Sequence, residues 1–247
     1  MIPLKSPKDL AMLKRSGAIL ASVMKKLQSA LRPGMTTLDI DLLSEALIRK
    51  EKALPAFKGY KGFPGTACVS VNEEIVHGIP GERVVQEGDI VSIDLGVNYE
   101  GFFSDMAVTL PVGKVDENRL KLIAVTKQSL DIGIKQAQVG NYLTDISHSI
   151  QSFVEAQGFS VVRQFVGHGI GTALHEEPEI PNFGRPGLGP LLKSGMVLAI
   201  EPMINLGSWE CLITENGWTA VTADGLPSAH FEHTVAVTDR GPVILTK

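Results

Sequence analysis

The sequence predicts an α+β fold made of two pseudo-equivalent halves, about residues 1–114 and 115–247, each running helix, helix, strands and sharing one domain. Three pairings carry this reading. Gly34–Ile40 (GMTTLDI) and Gly140–Ile146 (GNYLTDI) share Gly-x4-Asp-Ile; Gly88–Asp94 (GDIVSID) matches Gly195–Glu201 (GMVLAIE); and the tripeptide HGI occurs at His77 and again at His168. A further strand pair sets Asp105–Thr109 (DMAVT) beside Glu232–Ala236 (EHTVA).

In chain order, Leu10, Leu13, Gly17, Leu20, Met24, Leu27 and Leu31 recur at steps of three and four and mark a helix, with Ser6 and Pro7 as its start and Arg32–Gly34 as its stop. A second helix runs through Leu42, Leu43, Ala46 and Leu47 until Lys52–Pro55 (KALP) interrupts it. Val115–Ala137 reads as a third, broken at Gly140, and Ile146, Ile150 and Phe153 line a fourth that ends at Gly158. His148 falls on its solvent face.

Strand alternation sorts the acids. Asp94 shares a face with Ser92 and Gly96, and Asp105 one with Ala107 and Thr109. Glu232 goes with Thr234 and Ala236, and His233 alternates away from it. Reading Asn98–Gly101 as a type I turn sets Asp94 directly opposite Asp105. Two carboxylates that close repel unless a proton or cation lies between them. The duplication brings Glu201 and Glu232 to the same centre, where His168, freed by its flanking glycines to turn tightly, completes a set suited to Mn, Fe, Co or Zn.

With 44% hydrophobic and 20% charged residues, the chain reads as an ordinary globule, and its net charge of -4 argues against bulk binding of nucleic acid. Lys5, Lys8, Lys14, Arg15, Lys25, Lys26 and Arg32 make the first helix locally basic, read foremost as a solvated face. No stretch is apolar and long enough for a signal peptide or membrane span, and Cys68 and Cys211 have no motif spacing, so a cytoplasmic location with free thiols is expected.

VHGIP, IDLG followed by SDMAVT, GHGIG with LHEEP, AIEPM and FEHT stand in an order that resembles the type I methionine aminopeptidases, of the pita-bread group that also holds prolidase, aminopeptidase P and creatinase. The resemblance covers nearly the whole chain. It implies a pita-bread fold with a curved antiparallel sheet and outer helices, one catalytic domain 1–247, and two divalent metal ions. Asp94 would bind one ion, Asp105 and Glu232 bridge, and His168 and Glu201 bind the other. It further implies removal of N-terminal methionine from nascent polypeptides, with a small second residue preferred, by hydroxide formed on the metal pair. Glu201 is then the proton acceptor, His175 contacts the substrate and steadies the tetrahedral intermediate, and His77 guides the leaving amine. Phe57, Tyr60, Phe63, Cys68, Leu174 and Trp218 match the methionine pocket.

The chain departs from many relatives at Phe57, where cysteine is common, at Leu174, where an aromatic is common, and in IDLG, which lacks the hydroxyl of an IDVT form. Xaa-Pro-specific relatives carry a large N-terminal domain and R-x-E-D in place of FEHT, and ligand-less binding modules of this group lack donors that are all present here. A monomer and a transient ribosome contact through the basic first helix are expected.

Overall fold

Ser6 opens the first helix by accepting from the Asp9 amide while the Asp9 carboxylate accepts from the Ser6 amide, which satisfies two otherwise orphaned donors. In this computed structural model, which describes residues 2–247, α1 runs Pro7–Ala30 and α2 Thr37–Lys50. Strands β1 Leu54–Pro55, β2 Ala67–Val71, β3 Glu74–Val76, β4 Ile90–Tyr99 and β5 Phe102–Pro111 complete the first half. The second half repeats two helices, α3 Glu117–Gln136 and α4 Leu143–Ala156, then β6 Ser160–Val161, β7 Gly167–Gly169, β8 Glu176–Ile180, β9 Val197–Ile200 and β10 Met203–Asn205. It ends with β11 Cys211–Ile213, β12 Ala220–Thr222, β13 Ser228–His230, β14 His233–Thr238 and β15 Gly241–Ile244. All strand pairs are antiparallel, and one apolar core joins Leu20 and Met24 of α1, Ile93 of β4, Leu122 of α3, Ile146 of α4 and Leu198 of β9 across both halves.

Helix α2 buries Ile40, Asp41, Ser44 and Ile48, whereas Leu42 is 55% exposed and Ala46 also faces solvent. The rotation has a polar cause: the Asp41 carboxylate turns inward to accept from the Thr66 and Ala67 amides at 2.6 and 2.8 Å, anchoring the start of β2.

The β4–β5 hairpin turns on Glu100 and Gly101, both left-handed at φ 52 and 86, because such a two-residue turn matches the right-handed twist of its strands. Asn98 therefore stays in the strand, Asp94 faces Ala107, and Asp105 faces Gly96. The two acids lie on one face but diagonally, two residues out of the predicted register.

The duplication is visible hydrogen bond by hydrogen bond. Gly34 and Val85 exchange amide-to-carbonyl bonds with each other's segments as Gly140 and Leu192 do, and Gly88 donates to Val112 O as Gly195 donates to Val237 O. Thr109 Oγ1 accepts from the His230 amide and donates to its carbonyl, while Thr234 Oγ1 does the same at Asp105. The mate of Asp105 is thus His230, and that of Glu232 is Ala107, two residues from the sequence alignment. Asp94 and Glu201 do correspond. The two HGI tripeptides do not: His168 pairs with Ala199, whose mate Ser92 pairs with Ser70, so Ser70 holds the seat of His168. Nor do the glycines around His168 make a tight turn. They let neighbouring strands approach, since a Cβ at Gly167 would strike the Ala199 carbonyl and one at Gly169 the Glu177 carbonyl.

Among the described residues, no helix is long and apolar enough to cross a membrane.

Candidate active site

Asp94 from β4, Asp105 from β5, His168 from β7, Glu201 just after β9 and Glu232 just before β14 line the floor of one cavity of about 290 Å³. His168 Nδ1 lies 2.9 Å from the Gly169 carbonyl, which fixes Nδ1 as the protonated nitrogen and leaves the Nε2 lone pair free. Nε2 stands 3.5 Å from Glu201 Oε1 and 4.0 Å from Asp105 Oδ2. One donor atom each of Asp105, His168 and Glu232 lies within 4.8 Å of the others. Buried oxygens Asp94 Oδ1 and Glu232 Oε1 have no hydrogen-bond partner.

Burial pushes the Asp94 and Glu201 carboxyls up to about 7, and burial plus neighbouring carboxylates push Asp105 and Glu232 well above the ordinary range. Crowded, desolvated acids with orphaned oxygens and one imidazole lone pair fit divalent cations.

The upper cavity is apolar and aromatic. Phe63 packs edge-on to Trp218 at 5.2 Å, and Phe57, Cys68 and Leu174 are buried beside them in one cluster. Tyr60 stacks on His175 and places its hydroxyl 3.0 Å from Nδ1, while the other side of His175 lies 4.2 Å, ring to ring, from His168. Burial and the His168 ring hold the His175 imidazole below its ordinary value, and burial lowers His77 to about 4, so both are neutral at pH 7. His77 sits in the left-handed region at φ 59 with its ring edge-on to Phe165 at 5.3 Å. Every residue that the sequence placed at the site lines this cavity.

Sequence reasoning missed other parts of the wall. Phe165 and Val166 immediately precede GHGIG, and that adjacency was the available signal. Val76 and Met203 are the outer residues of VHGIP and AIEPM, whereas Lys61 and Gln164 belong to none of the motifs quoted above. His233 faces away as expected, its Nδ1 2.9 Å from Thr246 Oγ1, and His148 is exposed. His230 has a contact that the sequence did not reveal, 3.6 Å from Nε2 to Glu201 Oε2.

The departures at Phe57 and in IDLG are one structural event. A Cβ at Gly96 would lie 2.6 Å from Phe57 Cε1 and 2.9 Å from Ala56 Cβ, so the ring occupies the space a threonine side chain would need. Gly96→Thr alone is expected to destabilise by about 1–3 kcal/mol through overpacking. Adding Phe57→Cys should restore most of that, as read by urea unfolding of both singles and the double; simple additivity would show the two positions to be independent.

Lys5 departs from its assigned place on a solvated basic face. Its ammonium is salt-bridged to Glu176, with side chains only 6% and 10% exposed, whereas Lys8, Lys14, Arg15, Lys25, Lys26 and Arg32 are exposed. Glu176 Oε1 also accepts from the Thr172 and Ala173 amides at 2.8 and 3.1 Å, so the pair fixes the loop that carries Leu174 and His175. Lys5→Met removes the cationic partner of Glu176, which keeps its two amide bonds, and is expected to cost about 1–3 kcal/mol in a denaturant melt, with Lys5→Arg losing less.

The profile of Metallopeptidase family M24 matches residues 11–239. The chain is 53% identical to a methionine aminopeptidase of Clostridium perfringens over 100% of this chain and 99% of that protein. It is 50% identical to methionine aminopeptidase 1 of Bacillus subtilis over 100% of both. Among solved structures, the methionine aminopeptidase of Thermotoga maritima superposes with a TM-score of 0.98 at 47% identity, covering 100% of each chain. A prolidase from Pyrococcus horikoshii gives 0.81 at 20% identity, covering 99% of this chain and 63% of that one, a likeness of fold alone.

Proposed function

The chain belongs to metallopeptidase family M24, within its methionine aminopeptidases, and on that premise we propose that its cavity removes the N-terminal methionine from nascent polypeptides whose second residue is small. The observation that carries the proposal is the convergence of Asp94, Asp105, His168, Glu201 and Glu232 from both halves beneath an apolar, aromatic chamber. These five residues would hold two divalent cations, drawn from Co, Mn, Fe and Zn. Bound there, such ions supply Lewis-acid polarisation of the scissile carbonyl and acidify water.

The protein's own groups do the rest. Phe57, Tyr60, Phe63, Cys68, Leu174 and Trp218 enclose the methionine side chain, whose flexible thioether suits ring edges. Glu201 accepts the proton of the attacking water. With the Tyr60 hydroxyl donating to Nδ1, neutral His175 donates from Nε2 to the charge growing on the carbonyl oxygen. His77, neutral and held by its left-handed backbone, faces the departing amine.

His175→Ala should lower kcat by about 100- to 1,000-fold, as expected for the loss of one such donor. Tyr60→Phe, which frees the imidazole to change tautomer, should fall between that variant and the wild type.

The deciding experiment is turnover of Met-Xaa-Ser and Xaa-Pro peptides by chelated protein with Mn²⁺, Fe²⁺, Co²⁺ or Zn²⁺ restored one at a time. Cleavage of Met-Ala, Met-Gly and Met-Ser only after an ion is restored supports the reading. Full activity in chelator, or preference for Xaa-Pro, overturns it. The exposed Lys8, Lys14, Arg15, Lys25 and Lys26 along α1 support docking of the monomer at ribosomes in the cytoplasm, a contact that should weaken steeply as salt rises in cosedimentation.

A further inference from the structure

His230 ends β13 and carries none of the roles assigned above. Its side chain is 1% exposed, and its Nε2 has no hydrogen-bond partner. The backbone that presents it is the counterpart of the backbone that presents Asp105. Thr109 Oγ1 brackets the amide and carbonyl of His230 at 2.8 and 2.9 Å, and Thr234 Oγ1 brackets those of Asp105 at 2.9 and 2.8 Å. The same structural seat therefore aims Asp105 at the centre from one half and His230 from the other. His230 reaches Glu201. Its Nε2 stands 3.6 Å from Oε2, while His168 Nε2 stands 3.5 Å from Oε1, so the carboxylate is flanked by an imidazole on each oxygen. His230 does not line the cavity, whereas His168 does.

We propose that His230 is a positioning residue of the metal centre, whose Nε2, 3.6 Å from Glu201 Oε2, closes to donate to that oxygen when the carboxylate takes up an ion and so fixes the direction in which Oε1 is presented. The assignment rests on the reading of Glu201 as a ligand. Groups that bind the far side of a ligand set both its orientation and its strength as a donor, and their loss weakens metal affinity about 10- to 100-fold. A buried donor with no other partner is suited to that task. Glutamine, which also ends in an N–H donor, should replace it, and leucine should not.

The test is calorimetric titration of Co²⁺ into chelated, full-length protein, together with the visible absorption of the bound ion. Wild type and His230→Gln should bind comparably, and His230→Leu should bind at least one equivalent about 10- to 100-fold more weakly, with an altered spectrum. Wild-type affinity and spectrum in His230→Leu would overturn the inference and leave the proposed function standing. Failure of the wild type to bind any ion would instead overturn the proposed function. Should the leucine variant not fold, proton–nitrogen spectra of the wild type with Zn²⁺ decide: a protonated, slowly exchanging His230 Nε2 supports the role, and an unprotonated Nε2 refutes it.

Discussion

Glu201→Gln is expected to lower kcat on Met-Ala-Ser by about 10²- to 10⁴-fold, the usual worth of a positioned proton acceptor, with the chain still folded. The substitution keeps the side chain's volume between His168 and His230 and removes only its charge and basicity. Because the same residue is read as a cation donor, the calorimetric affinity for one ion should fall in the same protein. Steady-state kinetics at saturating Co²⁺ separate the two effects: a kcat that recovers at high metal means that Glu201 acts only by binding. Turnover within threefold of wild type at any metal concentration would remove Glu201 from the chemistry.

The second large effect is a coupling between pH and cation. Asp94 and Glu201 have folded-state values of about 7 against ordinary values of 3.8 and 4.5, and burial and neighbouring carboxylates raise Asp105 and Glu232 well above theirs. A carboxyl whose value rises on folding binds more protons folded than unfolded. Its favourable state is complete below the unfolded value, near 4, and is lost as pH climbs through the folded one. Chelated protein should therefore lose stability from about pH 5 upward as these carboxyls are forced to ionise in a buried, crowded site. Cations compete with those protons, so Mn²⁺ or Co²⁺ should raise Tm more at pH 8 than at pH 6. Scanning calorimetry with and without chelator measures both arms, and Glu201→Gln should flatten the chelated slope. A chelated Tm that holds constant or rises between pH 5 and 8 would contradict the picture of a crowded acidic centre.

Much of this was legible in the residues. The Gly-to-carboxylate strand motif located Asp94 and Glu201 at equivalent seats because strand alternation and a terminal acid leave a clear trace. The helix start at Ser6 was equally readable, since a reciprocal cap is a local matter of side chain and spacing. What the residues did not disclose depended on partners distant in sequence. The inward face of α2 was set by Asp41 serving the Thr66 and Ala67 amides, which no count of apolar residues along one helix detects. The register of Asp105 depended on a turn whose left-handed Glu100 defies residue preference. The shared HGI looked like a repeat, but each glycine answers to a different neighbouring strand. Phe57 and Gly96 read as two unrelated oddities until their contact explained both.

The exchange of hydroxyls by Thr109 and Thr234 shows that the scaffold is two-fold while its furnishing is not. Opposite Asp94 stands another acid, but Asp105 is matched by an imidazole, Glu232 by a methyl group and His168 by a hydroxyl. The donor set is therefore lopsided: the first half contributes only oxygen, from Asp94 and Asp105, and the one nitrogen, from His168, comes from the second, although both halves share a single backbone plan.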